Sequence, residues 1–417
     1  MPIRRSVRPT RTALLTALLT ALLAVALAAP SCARAQGTLT LETALVTALR
    51  ANADVVLARL RVDSAAAELH VARALPNPTV QTTPGLPSQY GVSLPLDIGP
   101  QRWARVRVQR LGYAASTSDV ADVQRLVRFA VRQAYVDAQL AESLRRITAD
   151  ERDVVRQLLS ADSTRLRAGD IPARNVARTE LELARSQAAV QRAEAGVRAT
   201  RLALQVAIGA SHPDTGLVVA DTLSAPDSML LPVDDRNVAI DERADVRSAV
   251  SRVEASRASA SFARAMLLPT PQLAVIEQPA QPFASGRHEA LALTLSVPLF
   301  NQWGGERDRA AAGLGAAQVD VARRRVRAAT EVAETADSMR TSSDLVSRYR
   351  SGLLSQADST VAQTRYAYIA GAATLTELLD AVRTHVTVRA EYATAVHDYW
   401  VSAYAYLRAT GTEPASP

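Results

Sequence analysis

The sequence is poor in aromatic residues, contains one cysteine and has no lysine. Phe, Trp and Tyr make up 4 % of its 417 residues, and the cysteine is Cys32. So few aromatic side chains argue against a thick aromatic core. The abundance of Ala, Val, Leu and Arg favours long helices that pack through small residues. All 48 basic residues are arginine. We attribute this use of arginine in place of lysine to the base composition of the genome rather than to a chemical requirement.

The first 35 residues have the features of a targeting segment. Four arginines precede an apolar run at 13–29, and Ala33-Arg34-Ala35 matches a signal-peptidase site. We therefore predict a signal peptide at 1–35, because the run is short for a membrane helix and no stop-transfer pattern follows. For Cys32, removal with this peptide and lipid attachment at an imperfect lipobox both stay open. Cleavage after Ala35 leaves no cysteine, which excludes disulfides.

Charge and motif content exclude several function classes. Removing residues 1–35 takes away five arginines and no acid, so the formal net charge falls from +7 to +2. That balance argues against nucleic acid as a partner. None of the five histidines has another at i+4, and the sequence shows neither a phosphate-binding glycine loop nor a G-x-S-x-G motif. We predict no metal site, no cofactor and no enzymatic activity.

The rest of the chain repeats one structural plan. Gly169 and Gly209 enclose 39 residues, Gly371 and Gly411 enclose 39 more, and the two copies lie 202 positions apart. Glycine is the usual helix stop, because it adopts the left-handed conformation without steric cost. Each copy is predicted to form a helix, two short strands, a very long proline-free helix, a glycine turn and a second long helix.

These patterns predict the following boundaries. The first repeat spans 36–210, with a strand pair at 78–98 and a helical hairpin at 101–208, and it begins with a single helix over 39–75. A linker rich in Pro, Asp and Ser covers 211–237. The second repeat spans 238–411, with a strand pair at 271–299, a hairpin at 303–410 and an uninterrupted helix over 306–367. Residues 412–417 form a tail.

Two strands per repeat are too few for an independent sheet. Two strands cannot stand alone, and four still leave open edges. Strands of this length suit a transmembrane barrel, which has no edges. Four strands cannot close such a barrel, but several protomers together can.

Four segments resemble the TolC-type outer-membrane efflux proteins, and among them the branch that serves heavy-metal and cation efflux. They are residues 93–102, 165–171, 296–301 and 368–383. The resemblance implies a mainly α fold with a small β part. In it, a homotrimer forms a 12-stranded β-barrel in outer-membrane lipid and an α-helical barrel in the periplasm of a Gram-negative bacterium. It also implies two partners, a periplasmic adaptor and an inner-membrane pump, most simply of the RND type.

The resemblance also assigns roles to an acidic pair. Glu377 and Asp380 are three residues apart, so they share one helix face. They match the pair that lines the narrowest point of the tunnel, where six carboxylates in a trimer would attract cations and raise one another's pKa. From the spacing alone, a solvated acidic face is the simpler interpretation, and the pore role comes from the resemblance.

The two glycine turns carry the remaining candidate residues. In the best-known members, a Tyr and an Arg on one hairpin and an Asp on the other hold the tip closed. The matching positions here are Tyr368, Ala373 and Asn175, so both charged partners are missing. We expect a Tyr368–Asn175 hydrogen bond instead. Adaptor contacts are expected at two turns, Ala168, Gly169 and Asp170 and then Ala370, Gly371 and Ala372.

The predicted function is a passive exit duct of a tripartite efflux system. Two other classes stay open. A periplasmic adaptor also has a signal peptide and a helical hairpin, but it would carry one hairpin and many more strands. A structural envelope coiled coil would have no use for the strand pairs.

Overall fold

A computed structural model of the protein describes residues 38–84, 89–212, 216–229, 232, 240–278 and 288–411. The predicted signal peptide with Cys32, the tail at 412–417 and parts of the predicted linker lie outside these residues. The elements of the first repeat are α1 (Leu41–Ala51), α2 (Ala53–Arg73), β1 (Thr79–Thr83), β2 (Gln89–Pro95), α3 (Pro100–Ala168) and α4 (Ala173–Ile208).

The second repeat follows the same order. A short 3₁₀ turn (Ile240–Glu242) precedes α5 (Ala244–Ala265), β3 (Pro271–Gln278), β4 (His288–Leu295), α6 (Gly304–Arg348), a π-helical segment (Tyr349–Leu353), α7 (Leu354–Ile369) and α8 (Leu375–Thr410). At about 1.5 Å per residue, the 69 residues of α3 span about 100 Å.

The predicted single helix over 39–75 is wrong, because the chain breaks at Asn52. Its backbone is extended (φ −62°, ψ 131°), and its side-chain oxygen accepts a 2.9 Å hydrogen bond from the Asp54 amide. The amide nitrogen of the side chain donates to the carbonyl of Ala207 at 2.9 Å. Asn52 therefore caps α2 and ties it to the end of α4.

The predicted uninterrupted helix over 306–367 is also wrong. The π-helical segment Tyr349–Leu353 separates α6 from α7, and Gly352 within it has non-helical dihedral angles (φ 178°, ψ −36°). Two residues of this segment anchor it to neighbouring parts of the chain. The Tyr349 hydroxyl donates to Glu391 at 3.0 Å, and Arg350 donates to the carbonyl of Pro226 at 3.2 Å. Such insertions are common at functional sites and hinges.

The four strands form one antiparallel sheet in the order β1-β2-β3-β4. The helices that enter and leave it lie side by side in the same order, α2 beside α3, α3 beside α5 and α5 beside α6. Farther along, α3 pairs with α4, while α8 packs on α6, α7 and α3. The two repeats are therefore joined through the β2–β3 pair and through α3.

The two faces of the sheet differ in chemistry. The register aligns apolar residues of all four strands on one face, where each is exposed by 42–74 %: Val80, Tyr90, Val92, Leu94, Val275, Leu291, Leu293 and Leu295. Thr82, Glu277 and Glu289 share this face at the end of the sheet away from the helices. The other face is mostly small or polar, with Thr79, Gln81, Gly91, Ser93, Gln272, Ala274, Ala290, Ala292 and Thr294, and with Ile276 as the exception. One face suits hydrocarbon and the other suits water.

Charged side chains fix the end of α8 against the start of α5. The side chain of Arg243 is 1 % exposed and pairs with Asp245 and Glu331 at 2.9 Å each. Its remaining nitrogen donates to the carbonyl of Ala409 at 2.9 Å. Cations are favourable at the carboxyl end of a helix, so this arginine both joins the elements and caps α8.

Candidate functional site at the helical tip

The two glycine turns lie at the same end of the molecule. Gly169 (φ 82°) ends α3, and Gly371 (φ 77°) follows α7. Both turns are exposed, and a Cβ atom on either glycine would meet no atom within 4 Å. Contacts across the hairpins confirm the shared position, since Arg178 donates to the Thr376 hydroxyl at 2.8 Å.

A buried carboxylate ties the hairpins together near these turns. Asp162, in the last part of α3, has no exposed surface. Its Oδ1 accepts a 2.7 Å hydrogen bond from the Tyr368 hydroxyl, and its Oδ2 accepts a 2.8 Å hydrogen bond from the Thr179 hydroxyl. Three helices, α3, α4 and α7, therefore meet at one carboxylate. A buried carboxylate needs such donors, because an unpaired one is costly.

This geometry corrects the predicted Tyr368–Asn175 hydrogen bond. The hydroxyl of Tyr368 has Asp162 as its acceptor, while the backbone carbonyl of Asn175 accepts from Thr179 at 3.1 Å. The tip therefore has both an acid and a tyrosine. The acid is Asp162 on α3, before the first glycine turn, whereas the resemblance places the partner of Tyr368 after that turn. Burial, followed by the hydrogen bond to Asp162, raises the pKa of Tyr368 to about 12, so the hydroxyl keeps its proton at neutral pH.

Tyr368 also lies at the edge of an apolar cavity. The guanidinium of Arg165 stacks on its ring, with 5.2 Å from Cζ to the centroid. The cavity of about 560 Å³ lies between α3, α7 and α8, and its apolar lining includes Val154, Leu158, Val361, Leu378 and Val382. Tyr368 is the only buried residue of α7, so this helix is held with little apolar packing.

A second polar tie fixes the middle of α7. The Asp358 carboxylate pairs with His385 at 2.8 Å and with Arg389 at 3.0 Å, both on α8. Hydrogen bonding to Arg389, the largest cause, holds the pKa of Asp358 below its usual value. Arg365 of α7 also donates to Gln157 of α3 at 3.3 Å. Between the π-helical segment and the tip, α7 is thus held by polar contacts of Asp358, Arg365 and Tyr368.

A third tie joins the hairpins at Arg383, less than one turn beyond Asp380. Arg383 of α8 donates to both oxygens of Glu182 on α4, at 3.1 and 2.7 Å. The Glu182 side chain is 11 % exposed and that of Arg383 is 42 % exposed. Planar bidentate pairs of this kind fix geometry as well as charge, so they align α4 with α8.

The acidic pair lies on the first turns of α8, as the spacing predicts, and both side chains are exposed. Glu377 completes a capping box in which it accepts from the backbone amide of Thr374 at 2.6 Å and from its hydroxyl at 2.9 Å. The bond to the backbone amide is the largest cause that lowers the pKa of Glu377. Within one chain this is opposite to the predicted rise, because the cap favours the carboxylate.

Sequence reasoning missed Asp162, Thr179, Glu182 and Arg383. A signal for Asp162 was present. It follows the buried Val155 by seven residues, so it occupies a seam position of α3 where an apolar residue is the rule. An acid at such a position requires a partner, and the partners lie on α4 and α7. The pairing itself connects residues 206 positions apart, which spacing cannot indicate.

The described residues contain no group of three or more His, Cys, Asp or Glu side chains placed to hold a metal ion. No helix in the described ranges is both long and apolar enough to cross a membrane.

The chain is similar to known proteins over most of its length. The family model described as "Outer membrane efflux protein" matches residues 44–210 and 236–412. The cobalt-zinc-cadmium resistance protein CzcC of Cupriavidus metallidurans is 24 % identical over 236 residues, which cover 54 % of this chain and 56 % of CzcC. The chain thus aligns with just over half of that relative's length.

Solved structures share the fold. CusC superposes with a TM-score of 0.75 at 19 % identity, covering 89 % of this chain and 92 % of the CusC chain. The open-state outer membrane channel MtrE of Neisseria gonorrhoeae gives a TM-score of 0.74 at 18 % identity, covering 89 % of each chain. These likenesses confirm the predicted fold class.

Proposed function

Because the chain belongs to the outer membrane efflux protein family, which confirms the predicted resemblance and the outer-membrane location, we propose that it is the exit duct of a tripartite efflux system. In this role it is a passive conduit. It performs no chemical step and offers a water-filled path whose opening depends on its partners.

One observation carries the proposal, the incomplete sheet. The order β1-β2-β3-β4 leaves β1 and β4 with one neighbour each in the described chain. One face of the sheet is apolar and exposed over the part next to the helices. In hydrocarbon every backbone polar group needs a partner, so a membrane sheet must close. Pairing β4 of one copy with β1 of the next closes the sheet, and three copies supply twelve strands, within the range of known barrels.

The same symmetry defines the tip. Three copies would bring six carboxylates of Glu377 and Asp380 around one axis at the start of α8. A ring of carboxylates favours cations over anions. The Thr374 cap supports this role, because it holds the Glu377 carboxylate in place and keeps it ionised. The ties at Asp162 and Glu182 would then hold each copy in the closed arrangement.

The exposed turns are the proposed contacts of a periplasmic adaptor. Ala168, Gly169 and Asp170 form one turn and Ala370, Gly371 and Ala372 the other, and all six are exposed. Small side chains leave room for a partner helix to approach the backbone. The adaptor would connect the duct to an inner-membrane pump, for which we propose the RND type.

For cargo we propose divalent heavy-metal cations. The similarity to a cobalt-zinc-cadmium resistance protein supports this class, as does the acidic pair at the tip. In this proposal the cations are transported and not held as cofactors. Substituting Glu377 and Asp380 together by Gln and Asn should then reduce the permeability ratio of cations to anions without changing assembly.

Two measurements test the duct itself. The purified full-length protein should migrate as a heat-sensitive trimer on a gel and should form discrete conductance steps in a planar bilayer. A periplasmic adaptor or a structural coiled coil would give no steps. A monomer without conductance would contradict the proposal.

A further inference from the structure

A groove rich in arginine lies where the sheet passes into the helices. Its volume is about 770 Å³, and it is lined by Arg73 of α2, by Ala258 and Ser261 of α5, and by residues 102–104, 106, 107, 110 and 111 of α3. Four lining residues are arginines, and none is acidic. These arginines are Arg73, Arg102, Arg107 and Arg110.

The charge of these arginines is not neutralised within the described chain. The guanidinium of Arg102 donates only to backbone carbonyls, those of Asp97 and Arg73. The described residues offer Arg107 and Arg110 neither a hydrogen bond nor an ion pair, and both side chains are exposed. The two acids that flank this part of α3 in sequence have other partners, since Asp97 pairs with Arg105 and Asp119 with Arg252. The groove is therefore a positively charged surface with no acidic side chain in its lining.

Helix stability does not explain these cations. The first turn of α3 contains no acid, although negative charge is favoured there and positive charge is disfavoured by the helix dipole. Arginines in the first turns thus reduce the local stability of α3. An anion bound between these arginines would offset that cost.

An exposed aromatic residue accompanies the arginines. Trp103 is 76 % exposed, in a chain that has only three tryptophans and four phenylalanines. Trp103, Arg107 and Arg110 follow the helical spacing of one stripe on α3. At the other passage from strand to helix, Phe300 is fully exposed and Leu299 is 72 % exposed. Aromatic and arginine side chains together are typical of the boundary between hydrocarbon and headgroups.

The position of the groove matches that boundary. Its lining on α3 begins at Arg102, seven residues after Pro95 at the end of β2, and Trp103 and Arg110 are about 10 Å apart along α3 at about 1.5 Å per residue. The headgroup layer on each side of the hydrocarbon is about 5–8 Å thick. Because α3 lies between α2 and α5, a second copy paired at β1 or β4 would lie beside α2 or α6. It would leave the groove open.

We propose that this groove binds the anionic headgroups of phospholipids in the membrane leaflet that faces the helices. Arg107 and Arg110 contact the phosphate, Arg73 and Arg102 supply further positive charge, and Trp103 lies at the level of the ester groups. Arginine matches phosphate through parallel N–H donors. The inference rests on the proposed membrane duct and adds a lipid site to it.

The test measures lipid binding by the full-length protein in detergent. Native mass spectrometry gives the apparent Kd for short-chain phosphatidylglycerol, with short-chain phosphatidylethanolamine and inorganic phosphate in separate arms. We expect phosphatidylglycerol to bind most tightly and R107Q/R110Q to raise its Kd about tenfold, since each arginine near an anionic surface contributes several-fold. The matched control R192Q/R198Q removes two exposed arginines of α4 and should leave Kd unchanged.

Two further measurements keep the outcome decisive. Trp103→Ala, which retains every arginine, should also weaken phosphatidylglycerol binding, so the site stays testable if R107Q/R110Q does not fold. Equal binding by wild type and both variants would overturn the proposal. So would saturation by inorganic phosphate at the same concentration, or a change of ion selectivity in bilayers with lipid binding intact, which would place the arginines in the pore. Loss of conductance in the wild type would instead contradict the duct.

Discussion

The hydroxyl of Tyr368 donates to the carboxylate of Asp162 across 2.7 Å, and this hydrogen bond joins α7 to the first helix of the other hairpin. Tyr368→Phe removes the donor and leaves the packing of the ring. We expect higher passive conductance in bilayers and a loss of about 1–2 kcal/mol in stability. Tyr366→Phe, at a position 77 % exposed on the same helix, is the control. Equal conductance of the two variants would show that Tyr368 does not hold the tip.

Bulk at the exposed turns should block the adaptor without affecting assembly. Ala370→Trp places a large side chain beside Gly371, where the structure has open space. We expect loss of efflux in cells with a normal amount of trimer on a gel. Ala195→Trp, at an exposed position in the middle of α4, should retain efflux. Retained efflux in both variants would rule out this turn as the contact.

Two glycines with the same backbone conformation should differ in their tolerance of alanine. Gly169→Ala adds a methyl group in open space at φ 82°, which costs about 1–2 kcal/mol through the left-handed conformation alone. Gly209→Ala places Cβ 2.6 Å from the carbonyl oxygen of Ala51 and 2.7 Å from Cα of Asn52. The backbone must therefore move. Thermal unfolding followed by circular dichroism should show a larger loss for Gly209→Ala, and equal losses would contradict the close contact.

His397 should make stability depend on pH. Its Nε2 lies 2.7 Å from Asp137 on α3, and its Nδ1 lies 2.9 Å from Asp398. Both carboxylates accept, so both ring nitrogens must carry protons. Burial opposes the charged ring, but the hydrogen bonds to Asp137 and Asp398 outweigh it and raise the pKa of His397 above 6.5.

The sign follows from linkage. A pKa that is higher in the folded state stabilises the fold fully below pH 6.5, the ordinary value, and the stabilisation is lost as pH rises through the folded pKa. The unfolding temperature of the wild type should fall over this window more than that of His397→Asn. His212→Asn, on an exposed segment, should follow the wild type. Parallel curves for wild type and His397→Asn would contradict the assignment.

Local rules predict the repeated architecture well. Glycine stops, proline-flanked strands and long proline-free runs are signals within a few residues, and Gly169, Gly209, Gly371 and Gly411 all adopt positive φ. The break at Asn52 was not predictable in this way. Asn52 is a weak signal by itself, and its partner Ala207 lies 155 residues away. Tertiary contact decides the conformation there.

In the candidate site, too, local sequence signals predict some features and tertiary contacts decide the others. The positions of Glu377 and Asp380 on one exposed face follow from their spacing. The pKa of Glu377 does not, because it depends on the capping box that Glu377 forms with Thr374. The predicted Tyr368–Asn175 hydrogen bond has the correct tyrosine and the wrong acceptor. The resemblance places Asn175 at the position of the usual partner of this tyrosine. In the structure the partner is Asp162, which is fully buried and needs a donor.

The bare sheet has a consequence for biogenesis. A newly exported copy carries strand edges without neighbours and an apolar face without lipid, and exposed edges of this kind favour misassociation. In the proposed trimer, the strand pairs that close the barrel form between β4 of one chain and β1 of the next. Maturation of the sheet, insertion and oligomerisation would therefore be a single concentration-dependent event, with no folded monomer as a precursor. At low expression, the copies would meet too rarely to form the trimer. The helices would then form and the membrane part would not, even without a damaging substitution.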